Sequence, residues 1–203
     1  MVHSSSWASP VSESPSCDRA GLLTIGHSTR PLDELVEMLD LAGCDILVDV
    51  RRYPTSRRYP WFDARSREVA LASAGIAYLW EGRGLGGRLN LGKVFTDVHR
   101  GLRSEGFRSY AAHLYSQESA EALNRIFRMV TQENSIVALM CAERLWFKCH
   151  RMILADAFTL AGICVEHLID MSPQGRRKHR LTEACGSGVL GLMHYESDCD
   201  TSR

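Results

Sequence analysis

The chain has almost no lysine and no net charge. Its 24 basic residues include only Lys93, Lys148 and Lys178, so nearly all of the positive charge is arginine, and 24 acidic residues balance it. A neutral total excludes an overall field that draws nucleic acid or membrane to the protein, so an anion must be bound by a local cluster. Arginine forks suit phosphate and carboxylate, although codon bias in a GC-rich genome explains the same composition equally well.

Long apolar runs and a regular cysteine framework are also missing. No run approaches the ~20 residues that span a bilayer, and the first residues lack the pattern of a secretory signal. Residues 1–15 are rich in serine and proline, which is typical of a disordered arm. The seven cysteines follow no framework spacing, which favours reduced thiols. We expect a cytoplasmic protein without a membrane partner; the sequence does not indicate an oligomeric state.

Short apolar runs alternate with segments of helical periodicity along the chain. Hydrophobic residues make up 45% of the 203 residues, which is enough for one core. The alternation predicts an α/β fold, a single domain with a mostly parallel central sheet of about five strands flanked by helices. The predicted strands cover 22–25, 46–50, 76–80, 136–140 and 163–169.

The helices are predicted from their apolar spacing and end signals. The first helix follows Pro31, and the second runs from a cap at Asp63 to about residue 74. Two more lie between 106 and 131, with Ser119 as a cap between them, and the last covers 148–160. We therefore divide the chain into three parts. These are a disordered arm (1–20), the α/β domain (21–171) and a tail that is basic, then polar, and partly disordered (172–203).

Polar side chains collect directly after the predicted strands. Because ligands bind at the carboxyl ends of parallel strands, we expect one convergent pocket there. Its candidate catalytic residues are His27, Asp49, Cys141 and Glu143. Its candidate substrate-binding residues are Ser28, Arg30, Arg51, Ser56, Arg57, Gly86, Gly87, Cys149, His150 and Arg151.

Asp49 interrupts an apolar strand, where an unpaired carboxylate is costly. Either it forms a buried ion pair with Arg51 or Arg57, or it serves as a general base or as the group that orients one. His27 and Ser28 follow a strand at a turn into a helix, where backbone N–H groups can hold an anion. The alternative for Ser28 is that it only caps the helix.

Cys149 is expected near a helix N-terminus and beside basic residues, and both features favour a thiolate. It is therefore a candidate nucleophile. Together with Cys141 and His150 it offers metal-ligating atoms, but the spacing does not match a zinc knuckle, and we assign no metal and name no cofactor. Cys141 has the alternative role of a small buried hydrophobe.

Three further features have open interpretations. The glycine-rich stretch 82–88 either lets backbone approach a phosphate or forms a flexible lid, and no helix clearly starts there. Tyr53, Tyr59 and Trp61 lie among arginines, where they stack on bases or anchor a loop to the core. The basic run 176–180 is a solvated tail or a nucleic-acid contact.

Several of these motifs, in this order, resemble the family catalogued as domain of unknown function 488. The matching pieces are TIGHSTR (24–30), VDVR (48–51) with Pro54 and Ser56-Arg57, LGG (85–87), YA (110–111), CAE (141–143), CHR (149–151) and the strand 165–169 with His167. The resemblance implies a compact α/β fold and groups these polar residues together, but it implies little about activity. Trp146 and Phe147 depart from it, because they stand where the family has a proline-containing loop.

We expect an anionic ligand as partner, with nucleic acid or a nucleotide as candidates, and we consider three functions for the predicted pocket. The first is an enzyme that acts on a nucleotide or nucleic acid by hydrolysis or base removal, as in DNA repair, with Asp49 or Glu143 activating water or stabilising a cationic sugar. The second is a non-catalytic module that binds nucleic acid or a nucleotide. The third is a thiol- or metal-dependent enzyme that uses Cys141, Cys149 and His150.

Overall fold

The computed structural model describes residues 21–55, 64–87, 99–172, 174–187 and 193–195. The strands are β1 (Leu22–Gly26), β2 (Ile46–Asp49), β3 (Ala77–Trp80), β4 (Val137–Cys141), β5 (Val165–Leu168), β6 (Arg176–Lys178), β7 (Cys185–Ser187) and β8 (Met193–Tyr195). The helices are α1 (Leu32–Leu41), α2 (Ala64–Ser73), α3 (Gly82–Leu85), α4 (Glu105–His113), α5 (Gln117–Thr131) and α6 (Arg151–Leu160). A 3-10 turn, Trp146–Lys148, precedes α6.

Six of these strands form one sheet in the order β3-β2-β4-β1-β5-β6, and β7 and β8 form a separate hairpin. The first five strands are parallel and β6 is antiparallel, so the predicted α/β fold with a mostly parallel sheet is confirmed. The central strands β1 and β4 are buried along their whole length. They are continuous apolar runs because a parallel sheet is covered on both faces.

Helices cover both faces of the sheet. The helices α1 and α2 bury residues such as Leu35 and Leu71 against one face. The helices α5 and α6 bury Leu123, Ile126 and Phe158 against the other. The helix that follows β4 therefore lies on the opposite face of the sheet from the helices that follow its neighbours β1 and β2. A crevice opens at such a switch point, outside the carboxyl ends of the strands.

Three local predictions were wrong in detail. Ser116, not Ser119, caps α5, because its hydroxyl accepts a hydrogen bond from the Ser119 backbone N–H (3.3 Å). The stretch after β3 forms the short helix α3 rather than a loop, since Leu85 is drawn into the core. The helix predicted from Lys148 begins at Arg151, because the preceding residues form the 3-10 turn.

Part of the predicted tail is built into the fold. The basic run supplies β6, which pairs with β5 at one edge of the sheet and leaves Arg176, Arg177 and Lys178 exposed. Charged residues on an edge strand discourage pairing with another chain. The residues His179 and Tyr195 that follow are buried. No helix in the described part of the chain is long and apolar enough to cross a membrane.

Candidate active site

A pocket of about 830 Å³ opens at the carboxyl edge of the sheet, beside the end of β4. The loops after β1, β2 and β4 line it together with the start of α4. The predicted site residues that line it are His27, Ser28, Arg51, Gly87, Cys141, Glu143, Cys149 and His150. Four others, Asp49, Arg30, Gly86 and Arg151, lie outside this lining, and Ser56 and Arg57 fall outside the described residues.

The end of β1 and the loop after β4 pack backbone against backbone. A Cβ atom at Gly26 would lie 2.0 Å from the carbonyl oxygen of Glu143, so only glycine permits this approach. His27 donates its backbone N–H to the Cys141 carbonyl (3.0 Å), and Ser28 donates to the next carbonyl (2.9 Å). Ser28 itself has φ of 47°, a strained value for a residue with a side chain. These contacts fix two walls of the pocket relative to each other.

Asp49 is a structural anion beneath the pocket. It has no exposed surface and accepts hydrogen bonds from Arg51 Nε (2.8 Å), Arg51 Nη2 (2.6 Å) and the Tyr78 hydroxyl (2.9 Å). Arg67 Nη1 lies 4.0 Å away. Of the two alternatives for Asp49, the geometry favours the buried ion pair over a base in contact with substrate, because the carboxylate is enclosed by its own partners.

His27 is neutral and its ring nitrogens are engaged. Arg51 Nη1 donates to His27 Nε2 (2.9 Å), and His27 Nδ1 donates to the Ser28 carbonyl (3.1 Å). Burial, reinforced by the charge of Arg51, lowers the pKa of His27 to about 4. His27 therefore serves as a wall of the pocket that orients Arg51, rather than as a proton acceptor for a substrate.

Two more of the predicted binding residues support the backbone instead. Arg30 donates to the carbonyls of Gly26 and Ile169 and forms an ion pair with Glu34 (3.1 Å). Gly86 packs against the backbone of Arg52. Both therefore shape the loops around the pocket.

Two thiols and an imidazole meet at the base of the pocket. Cys141 is the last residue of β4, and Cys149 and His150 directly precede α6. His150 Nε2 donates to the Val50 carbonyl (3.1 Å), which leaves Nδ1 without a proton and 3.9 Å from Cys141 Sγ. A Cβ at Gly87 would lie 3.0 Å from that Nδ1, so glycine leaves the imidazole room.

The two thiols differ in their tendency to ionise. A hydrogen bond from the Cys149 thiol, aided by the backbone N–H groups of Glu143 and Ala142 and by the charge of Arg151, lowers the pKa of Cys141 to about 6 against the effect of burial. Donating that hydrogen bond, together with burial, raises the pKa of Cys149. Burial lowers the pKa of His150. These opposite shifts make Cys141 the more readily ionised thiol of the pair.

Arg151 is a buried cation that contacts a cysteine sulfur. It is 1% exposed, and its Nε donates to Cys149 Sγ (3.2 Å). Its other contacts are the carbonyls of Glu143 and Arg144 and the hydroxyl of Thr24. Within the described ranges, no carboxylate forms an ion pair with it. Since an uncompensated buried charge is costly, a thiolate in the neighbouring cysteine pair would stabilise the arrangement.

The same three residues have the composition of a metal site. The ligand atoms of Cys141, Cys149 and His150 lie within 4.8 Å of one another. Thiolate and imidazole are the ligands that Zn²⁺ prefers, and a metal-bound imidazole usually donates its other N–H, as His150 does here to a carbonyl. These residues could therefore hold a thiophilic metal ion.

Sequence reasoning missed part of the lining. Tyr53 is 68% exposed and lines the pocket beside Arg52. The sequence showed Tyr53 among arginines but left open whether it stacks on a base or anchors a loop. Phe107 and Tyr110 come from α4; the Tyr110 ring lies 4.9 Å from that of His150. Nothing in the spacing of Phe107 indicates this placement, because it depends on how α4 packs over the sheet edge.

Together the fold and the pocket define an α/β protein with a paired-cysteine site at the switch point of a parallel sheet. A family model described as "Domain of unknown function DUF488" matches residues 31–158, more than half of the chain, and the protein belongs to this family. The match includes Asp49, Cys141 and Cys149 but neither His27 nor His167. No curated protein and no solved structure gives a significant match.

Proposed function

We propose that the protein is a thiol-dependent enzyme in which Cys141 attacks an electrophilic atom of an anionic substrate bound in the pocket. The observation that carries this proposal is the burial of Arg151 against Cys149, the hydrogen-bond partner of Cys141, with no carboxylate partner for Arg151 among the described residues. A thiolate completes the charge balance there, and the thiolate is the nucleophilic form of cysteine.

The proposed reaction is hydrolysis in two steps. In the first, the Cys141 thiolate forms a bond to the electrophilic atom and the leaving group departs with the electron pair of the broken bond. In the second, water attacks that atom, the bond to sulfur breaks, and the thiolate is restored. His150 Nδ1 faces Cys141 at 3.9 Å and is placed to take a proton from the thiol or from water.

A nucleotide is the substrate class that we infer from the rest of the lining. Arg52 supplies positive charge, and Tyr53 and Phe107 supply aromatic faces on the same pocket. Arginine forks hold phosphate, and aromatic rings stack on bases without sequence preference. Hydrolysis of a nucleotide or nucleic acid is thus retained from the sequence-based hypotheses, but Cys141 as nucleophile replaces Asp49 or Glu143 as the residue that activates water. A non-catalytic binding module would use the same lining without the thiol.

Alkylation with a matched pair of reagents tests this proposal without a known substrate. Iodoacetate carries a carboxylate and iodoacetamide is its neutral counterpart; each forms a bond to sulfur and releases iodide. At pH 6.5, peptide mass spectrometry is expected to show Cys141 labelled first, and iodoacetate favoured over iodoacetamide. The matched controls are Cys141→Ser, which removes the reactive site, and Cys44→Ser, which alters a thiol whose pKa burial raises to about 12.

Two further results complete that experiment. Arg52→Gln is expected to reduce the preference for iodoacetate, and a nucleoside monophosphate is expected to slow the labelling of Cys141. Labelling of Cys141 no faster than that of Cys44, in folded protein, would contradict the proposal. If Cys141 is labelled fast but equally by both reagents, and nucleotide gives no protection, the reactive thiol is supported. The anionic substrate is then contradicted.

The three clustered ligand atoms favour a second candidate, a metal-dependent enzyme at the same place. A bound ion would lower the pKa of its water and so generate a nucleophile, with Glu143 on the pocket lining as a proton acceptor. Elemental analysis of the purified protein separates the two candidates. One equivalent of zinc, lost in both Cys141→Ser and Cys149→Ser, would select the metal, whereas metal-free protein with a fast-labelling Cys141 selects the thiol.

A further inference from the structure

Two free thiols meet across one loop at the base of the pocket. Cys141 ends β4, and Cys149 lies two residues before α6. Their sulfur atoms lie within 4.8 Å of each other, and the Cys149 thiol donates a hydrogen bond to Cys141. Since the sulfurs of a disulfide are about 2.05 Å apart, a small movement of the loop or of one side chain would bring this pair to bonding distance.

Arg151 holds the two sides of the pair in a fixed relation. Its Nε donates to Cys149 Sγ (3.2 Å), and its Nη2 donates to the carbonyls of Glu143 and Arg144. These carbonyls belong to the backbone that follows Cys141. One guanidinium therefore keeps the Cys149 sulfur facing the end of β4, which is the arrangement that a bond between the two sulfurs requires.

The loop that joins the two cysteines is able to adjust. It consists of residues 142–148, and five of these seven residues are exposed. Segments with few buried contacts open at a lower free-energy cost than the core. The loop can therefore follow the small movement that closure of the bond requires, while β4 and α6 stay in place.

The pocket gives a small oxidant access to both sulfurs. Cys141 and Cys149 line the pocket of about 830 Å³, although they are only 6% and 5% exposed. A peroxide molecule fits such a space, whereas a thiol on the surface of another protein does not reach its base. A sulfur that is oxidised here therefore meets the neighbouring cysteine before a protein thiol from solution.

The other free thiols of the described residues lie elsewhere. Cys44 precedes β2, at the opposite edge of the sheet, and packs in the core beneath α1. Cys185 begins β7 in the separate hairpin. Neither of them lines the pocket. The geometry therefore favours one pairing, between Cys141 and Cys149.

We propose that Cys141 and Cys149 form a reversible modification site, which a peroxide converts into an intramolecular disulfide. In the first step one sulfur takes an oxygen atom from the peroxide and becomes a sulfenic acid, and the thiol proton leaves with the second oxygen as water. In the next step the other sulfur bonds to the sulfenic sulfur, the S–O bond breaks, and the hydroxyl departs with the second thiol proton as water. Two thiols thus lose two electrons and two protons to one peroxide.

The disulfide protects both sulfurs from irreversible oxidation. Thiols reduce a disulfide, whereas a sulfenic acid that is oxidised again becomes a sulfinic acid, which ordinary thiols do not reduce. While the bond exists, Cys141 has no free sulfur and the proposed hydrolysis stops. The inference goes beyond that function and does not depend on it, because it needs only the placement of the two sulfurs.

Peptide mass spectrometry after peroxide treatment tests the proposal. The full-length protein is first treated with a chelator, so that no metal ion covers the sulfurs, and its remaining thiols are blocked before digestion. Trypsin cleaves after Arg144 and Lys148, which places the two cysteines on the separate peptides 129–144 and 149–151. We expect these peptides to be joined, with a mass two hydrogens below their sum, and to separate in dithiothreitol. Labelling of Cys141 by iodoacetamide should be lost after peroxide and restored after reduction.

Three variants serve as comparisons. Cys44→Ser and Cys185→Ser remove the other described free thiols and are expected to give the linked peptides at the rate of the parent. Cys149→Ser leaves Cys141 without a partner, so Cys141 is expected to gain two oxygen atoms as a sulfinic acid. Its labelling by iodoacetamide should then not return after reduction. Circular dichroism establishes that each variant is folded.

Every outcome decides the proposal. Linked peptides in the folded parent, with labelling restored by reduction, support it. Uptake of oxygen by Cys141 to the same extent in the parent and in Cys149→Ser, without linked peptides, overturns it. Links to Cys44, to Cys185 or to a second chain as the main product overturn it as well.

Failure of the proposed function would look different. If Cys141 of the reduced parent is labelled no faster than Cys44, the nucleophile is contradicted, and linked peptides would still support the modification site. If Cys141 of the reduced parent is labelled fast but peroxide gives no linked peptides, the modification site alone is overturned.

Discussion

Replacing Asp49 with asparagine keeps the shape of the side chain and removes its charge. The carboxylate has no exposed surface and accepts two short bonds from the Arg51 guanidinium and one from the Tyr78 hydroxyl, with Arg67 at 4.0 Å. After the change, Arg51 and Arg67 remain buried without a counterion. Breaking a buried pair by removing one partner costs about 3–5 kcal/mol, which is a large part of the roughly 5–15 kcal/mol that stabilises a typical domain.

Urea unfolding followed by tryptophan fluorescence at pH 7 measures this cost. We expect Asp49→Asn to lower the free energy of unfolding by about 3–5 kcal/mol with an unchanged dependence on urea concentration. The matched control is Asp40→Asn on the exposed side of α1, for which a change within about 0.5 kcal/mol is expected. A loss below about 1 kcal/mol in Asp49→Asn would refute the structural role and restore a catalytic role for this carboxylate.

Three further results are expected. Gly26→Ala places a Cβ 2.0 Å from the Glu143 carbonyl, so it should cost about 1–3 kcal/mol and lower Tm in a thermal scan; an unchanged Tm would contradict the close approach. Tyr195→Phe removes a 2.6 Å hydrogen bond to Asp156 and should cost about 1.5–3 kcal/mol in urea unfolding, and no loss would argue against a stabilising role for this contact. Burial lowers the pKa of His27 to about 4 in the folded protein, so between about pH 6.5 and 4 the unfolded chain binds a proton that the folded protein does not. The free energy of unfolding should therefore fall as pH falls through that window. His27→Gln should reduce the dependence of the free energy of unfolding on pH by at most ~1.4 kcal/mol per pH unit, and an unaltered pH profile would contradict this.

The arrangement of strands and helices followed from apolar periodicity, whereas local chemistry decided several boundaries. The apolar run of β4 and the spacing of α1 were recognisable because each buries a regular pattern of side chains. The cap at Ser116 was not recognisable, because Ser119 is an equally good capping residue three positions later. The strand β6 was read as a tail because its basic residues remain in solvent at the sheet edge.

The position of the pocket was predictable, but the direction of each long side chain was not. A residue that follows a strand is brought to the carboxyl edge, and Cys141 and Cys149 line the pocket there. Arg30 and Arg151 are brought to the same edge but turn beneath the loops to hold carbonyl groups. The contact of Thr24 with His167 spans 143 positions along the chain and leaves no local pattern in the sequence.

The most direct measurement of the thiol-dependent function is the ultraviolet absorbance of the Cys141 thiolate as a function of pH. The signal is taken as the difference between the parent protein and Cys141→Ser, in metal-free samples that remain folded throughout the titration. We expect one thiol equivalent to titrate with a midpoint near 6, because the Cys149 hydrogen bond, backbone N–H groups and Arg151 stabilise the thiolate. A midpoint at or above the ordinary value of about 8.5 would contradict a nucleophilic Cys141.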